Sequence, residues 1–150
     1  MKTEVMKIIA VRMLILAVLL AGIVTFTASA YAAEKEAPVK IPDTVAAIWQ
    51  SVDQETEGMA KGIQAGKLDD LHQHAFAVRD LVAALPARSA SLPPEKLAKV
   101  RSDAKFVATL AQRLDAAGDA NNKAAAESNF EKLRDMLKSI RTNYPDAGPK

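Results

Sequence analysis

The chain contains no cysteine and only two histidines among its 150 residues. Without thiols it has no disulfides, no thiolate nucleophile, no thiolate metal ligand and no covalent haem attachment, so packing alone must hold it together. A nucleophile elbow, a phosphate-binding glycine loop, a dinucleotide fingerprint and a His-Glu-x-x-His pair are also absent. The chemistry-bearing patterns of common enzymes are therefore missing, and the sequence reads as a non-enzyme. An excess of one charge is missing too. Twenty basic residues face eighteen acidic ones. Setting aside Lys2, Lys7 and Arg12 against Glu4 in the first 32 residues leaves seventeen of each sign. That balance offers neither a basic face for nucleic acid nor an acidic tail. The longest apolar run, Met13 to Val24, has twelve residues, whereas a bilayer span needs about 20.

What is present at the N-terminus has the order of a secretory signal. Lys2, Lys7 and Arg12 precede the apolar run, and a small-residue stretch "TASAYAA" follows it. Cleavage is expected after Ala30 or Ala32, which places the mature chain in the periplasm with no membrane span. The absence of a cysteine after the apolar run excludes a bacterial lipid anchor. The expected organisation is a signal peptide over 1–32, a flexible leader over 33–42, one helical domain over 43–145, and a tail over 146–150.

Apolar residues of the mature chain recur in steps of three and four, the period of an amphipathic helix. Val45, Ile48, Val52, Met59 and Ile63 form a first stripe. Leu71, His74, Val78, Leu81, Val82 and Leu85 form a second. Leu97, Val100, Ala104, Val107, Leu110 and Leu114 form a third, and Ala126, Phe130, Leu133, Leu137, Ile140 and Tyr144 a fourth. Breaks fall at Gly66, at Pro86 to Pro94 (with Ser91 as the expected N-cap), at Ala116 to Asn122 (with Gly118 as the expected stop and Asp119 or a following asparagine as cap), and at Pro145. Helices of about 18 to 25 residues joined by short connections give an all-α, antiparallel up-down-up-down four-helix bundle. A pair of long hairpins that dimerise is the other packing this pattern allows. Gly58, Gly62 and Gly66 stand at four-residue steps in the first helix. An interior glycine costs about 1 kcal/mol relative to alanine. Close approach of a neighbouring helix is the simpler reason for them; room for a ligand or a docking partner is the other.

Both histidines lie in "LHQHAFAVRDL", residues 71–81. His72 and His74 are two apart, about 200° around a helix, and cannot chelate one ion together. His74 falls within the apolar stripe and His72 on its flank, where it would be a surface ligand at most. Hairpin geometry, with an error of about one turn, sets position 74 opposite Met59 on helix 1 and Asp103 or Ala104 on helix 3, and position 103 opposite Met136 on helix 4. One layer would then gather Met59, His74, Asp103 and Met136. Two thioethers, an imidazole and a carboxylate suit copper first among transition metals. The same residues also read as ordinary core, with methionine filling gaps and a buried His74–Asp103 pair satisfying itself. Glu55 and Asn129 are weaker polar candidates. Asp69 and Asp70 complement the start of the second helix, where Asp70 also stands four residues before His74.

The architecture and the ending "KLRDMLKSIRTNYP" resemble the periplasmic b-type cytochromes built as four-helix bundles. That resemblance implies haem held by a methionine in helix 1 and a histidine near the end of helix 4. Helix 4 here has no histidine, and Pro145 follows Tyr144 where it would stand, so haem would require non-standard ligation. A broader resemblance, covering most of the mature chain, is to exported proteobacterial proteins. It is carried by Ile48-Trp49, by "GKLDDLHQHAFAVRDLVAALPARS" (Gly66 to Ser89), by "LPPEK" (Leu92 to Lys96) and by Gly118 to Ala120. It implies a place among heavy-metal resistance and efflux systems. Some of those proteins carry further histidines in helix 1, where this chain has Asp53 and Glu55. The expected partners are a transition-metal ion and a periplasmic protein; the opposing expectation is a structural or interaction bundle that docks through Gly58 and Gly62.

Overall fold

The computed structural model describes residues 39–144. All of these belong to one compact unit, Glu36–Lys150. The expected signal peptide, most of the leader, Pro145 and the tail lie outside the described residues. Four helices follow in order, with no strand among the described residues: α1 (Val45–Ala65), α2 (Leu71–Ala84), α3 (Pro94–Asp119) and α4 (Lys123–Arg141). A 3-10 turn, Leu85–Arg88, continues α2 through Pro86. None of the described helices is long and apolar enough to cross a membrane.

Local chemistry sets the helix ends. Thr44 begins α1 with its hydroxyl accepting the Ala47 N–H at 3.2 Å. The helix stops at Gly66, whose φ of 68° is the left-handed conformation that glycine adopts at no steric cost. The Lys67 N–H reaches the Gly62 carbonyl and the Gly66 N–H reaches that of Ile63, the paired bonds of a Schellman motif. The same motif closes α3, but with asparagine in the left-handed position: Asn121 has φ 46°, and the Asn122 and Asn121 N–H groups bond the Ala117 and Gly118 carbonyls. Asn122 then caps α4 by accepting the Ala125 N–H at 3.0 Å.

Several expected boundaries move. Gly118 lies inside α3 and does not stop it. A β-carbon there would come 3.0 Å from the Leu68 carbonyl oxygen, so the residue is small because the α1–α2 connection presses against it. Ser91 does not cap α3. That helix starts on Pro93 with no side-chain cap, because Pro94 supplies a preset φ and has no N–H to satisfy. The second helix has 14 residues, fewer than expected, because Pro86 diverts the chain into the 3-10 turn.

The core runs through all four helices, with Ile48, Met59, Leu81, Leu114, Leu133 and Ile140 fully buried. Helix α2 packs against α1 and α3, and α4 packs against α3 and α1. Both ends of α4 are tied to α1. Arg141 bonds Asp53 at 2.6 Å and its guanidinium lies 4.5 Å from the Trp49 ring centroid. At the other end the Lys123 ammonium bonds the Gln64 carbonyl at 3.3 Å.

Candidate functional site

The five metal candidates occupy different surroundings. Met59 is fully buried in the core. Met136 is partly buried against it. Asp103 pairs with Lys99 on its own helix at 2.5 Å. His74 is not an inner-stripe residue: the buried line of α2 passes through Leu71, Ala75, Val78, Val82 and Leu85, and the His74 side chain remains 35% exposed. Its Nδ1 meets Glu55 on α1 at 2.7 Å, so neither Asp103 nor Asp70 is its carboxylate partner. No hydrogen bond or ion pair of the described residues joins two of the five candidates.

The expected layer of Met59, His74, Asp103 and Met136 fails at Asp103, and the cause is register. Gly118 near the end of α3 stands against Leu68 and Leu71 at the start of α2. On antiparallel neighbours, position 74 is then level with about Leu114, some ten residues or roughly 15 Å along α3 from Asp103. A loop midpoint near residue 89 assumes a symmetric turn. The 3-10 turn and the loop after it instead overshoot the end of α2, and the first turns of α3 extend past that helix.

The glycines of α1 face this same chain. A β-carbon on Gly58 would come 2.6 Å from His74 Cε1, and one on Gly62 would come 2.9 Å from the Lys67 carbonyl oxygen. Gly58 is the notch in which the His74 imidazole lies, and its four-residue spacing from Gly62 reflects two separate close contacts. Neither glycine offers an open docking surface.

His72 sits in the more polar setting. Its Nδ1–H donates to the Asp69 carbonyl at 3.0 Å, which leaves Nε2 as the nitrogen with a free lone pair. The press of Leu68 against Gly118 brings the α1–α2 connection to the last turns of α3. A recess of about 520 Å³ forms there, lined by Gly66, Leu68, Asp69, His72, Asp115, Gly118, Asp119 and Asn121. Asp115 and Asp119 are one turn apart and share a helix face. Burial first, and then the Asp119 charge, pushes the Asp115 carboxyl above its ordinary value, with His72 acting in the opposite sense. An "imidazole plus two carboxylates" set is chemically competent for a divalent ion. Even so, among the described residues no three histidine or carboxylate side chains are already gathered around one point. The sequence marks neither Asp115 nor Asp119 as a ligand, and Asp119 only as a candidate cap, a place that Asn122 takes; their i,i+4 spacing just before the turn is the available signal, and it is a weak one.

For the b-type haem scheme, α4 offers no histidine to oppose Met59. No family model, no curated protein and no solved structure matches this chain.

Proposed function

We propose that this is an exported, up-down-up-down four-helix bundle that binds a divalent transition metal, Cu(II) first, in periplasmic metal homeostasis or resistance. It acts as a binding protein and not as a catalyst. The alternating helix directions are supported by the contacts of Asp53 with Arg141 and of Gln64 with Lys123 between α1 and α4, and by the meeting of Gly118 with Leu71 between α3 and α2. The metal reading is carried by one observation: His72, with Nδ1 held by a backbone carbonyl, lines the recess at the α1–α2 connection together with Asp115 and Asp119, and its charge acts on Asp115. A histidine whose second ring nitrogen is fixed by a carbonyl is the usual orientation of a metal ligand. Closing around an ion takes rotamer changes of His72 and the exposed Asp119 on a fixed backbone. With nitrogen and oxygen donors and no thioether in the recess, the order of preference puts Cu(II) above Zn(II) and Ni(II), and does not favour Cu(I). The placement among heavy-metal resistance systems rests on the sequence resemblance alone.

The test is the thermal midpoint of the mature domain with each ion. A ligand at a hundred times its Kd adds about 2.7 kcal/mol, on the order of 10 °C for a domain of this size. Cu(II) should give the largest shift and Cu(I) little; no shift with any ion would end the metal reading.

Asp115→Asn separates this function from stability. An acid whose folded pKa is raised loses stability by being ionised. That cost is present above the folded pKa and disappears as the pH falls below the ordinary value of 3.8. The asparagine variant should therefore melt higher than the parent at neutral pH without metal, converge with it in acid, and lose the Cu(II)-induced shift. A lower metal-free midpoint at pH 7 would show that the Asp115 charge supports the fold.

A further inference from the structure

A second recess lies at the start of α1 and α3, away from the His72 recess. It has about 490 Å³ and is lined by Val45, Ala46, Arg88, Ser89, Ser91, Leu92, Pro93, Lys96, Asn143 and Tyr144. Three polar residues are buried among those described, and two of them, Ser89 and Asn143, line this recess. Ser89 Oγ–H donates to the Leu85 carbonyl at 2.5 Å and meets the Tyr144 hydroxyl at 3.0 Å. Both hydrogen bonds of the Asn143 side chain come from Nδ2, to the Ser139 and Ile140 carbonyls. The floor is thus held rigid by hydrogen bonds to α4 and to the 3-10 turn. Around it stand two cations. Lys96 has no ion pair among the described residues, and Arg88 has one loose pair, at 3.7 Å, with the almost fully exposed Asp43. The Thr44 hydroxyl takes the Ala47 amide, and the Val45 and Ala46 amides, in the first turn of α1, make no hydrogen bond among the described residues. Val45, Leu92, Pro93 and the Tyr144 ring supply apolar wall.

We infer that this recess binds a small organic anion, a carboxylate or phosphate ester with a short apolar body. Its charged end lies between Arg88, Lys96 and the first-turn amides of α1, and its body lies on Leu92, Pro93 and Tyr144. Two cations, unpaired amides and a hydroxyl at Ser91 converge on a concavity within the size range of small-molecule sites, and each of these groups favours negative charge. Asp43 competes for Arg88 and is displaced on binding. The site is independent of the metal reading.

Trp49, the only tryptophan of the chain, reports on it directly, because its ring lies edge-on to Tyr144 at 6.0 Å. The mature protein is titrated with octanoate and with phenyl phosphate while Trp49 fluorescence and calorimetric heat are recorded; octylammonium is the charge control. Octanoate or phenyl phosphate should saturate the signal and octylammonium should not. Lys96→Glu should weaken anion binding about tenfold or more, and Asp43→Asn should tighten it. An equal response to octylammonium overturns the inference. So does unchanged affinity in Lys96→Glu, or no response to either anion at about 10 mM, beyond the weak end of specific binding.

Discussion

Trp49→Ala should be among the most destabilising single changes in this protein, at about 3 to 5 kcal/mol. The indole is 2% exposed and holds three elements together: the first turns of α1, the end of α4 through the Arg141 guanidinium, and the segment after it through Tyr144. Its removal leaves a cavity where those elements meet and strips Arg141 of its cation–π partner. For a chain with no disulfide and a stability on the order of 10 kcal/mol, that is a large fraction. Trp49→Phe should be much milder. The buried indole N–H meets no hydrogen-bond partner among the described residues, and an unsatisfied buried donor carries a penalty of about 1 to 3 kcal/mol. Phenylalanine removes that penalty and keeps most of the packing, so the lost volume is partly offset. Urea unfolding followed by far-UV circular dichroism measures both. Equal losses in the two variants would mean that the indole nitrogen is bonded to water or to the chain, and that the N–H stabilises.

The second large effect lies at Gly62. On helix propensity alone, Gly62→Ala would gain about 1 kcal/mol. The new methyl, however, would meet the Lys67 carbonyl oxygen at 2.9 Å, and Lys67 is itself held by its N–H bond to the Gly62 carbonyl. A backbone oxygen inside a Schellman turn cannot swing aside. The turn must open, and with it the connection that carries Leu68 and Asp69, so a net loss of about 1 to 3 kcal/mol is expected. Gly58→Ala differs in kind. Its methyl meets the His74 ring first, closest at 2.6 Å, and a side chain that is 35% exposed can rotate out. The expected cost is the Glu55–His74 hydrogen bond, about 1 kcal/mol, roughly cancelled by the helix gain. If Gly58→Ala proves the more damaging of the two, the His74 ring is the fixed object and the turn is the pliant one.

Why the helices were legible and the site was not follows from what each depends on. Val45 through Ile63, or Ala126 through Ile140, repeat over several turns, so the apolar face survives an error of one residue. The His74 neighbourhood depended on two hairpin registers, and each loop adds an axial offset that apolar periodicity does not carry. Between α1 and α2 the offset is within a turn, because Gly66 closes a tight connection: hairpin geometry sets position 74 opposite Met59, and the side chain lies on Gly58 and Glu55. Between α2 and α3 the nine residues 85–93 include a 3-10 turn started by Pro86, and the register slipped by about ten positions, which removed Asp103 from the layer. The stripe rule also placed His74 one step too far inward, since a half-buried flank and an inner stripe differ by only about 100°. The recess at His72 was invisible for another reason. It is assembled by Leu68 pressing on Gly118, and in the sequence that glycine looked like a helix stop.

The most direct measurement of the central claim is Cu(II) binding to the mature domain, compared between two single-histidine variants by calorimetry and by nitrogen splitting in the electron paramagnetic resonance spectrum. The expected result is one bound ion with imidazole nitrogen coordination, lost in His72→Ala and retained in His74→Ala, which should show only the stability change of a missing Glu55 partner. Binding that survives in His72→Ala and disappears in His74→Ala would move the metal to the Gly58 notch and contradict the site argued above. No bound Cu(II) in the parent would contradict the metal function itself.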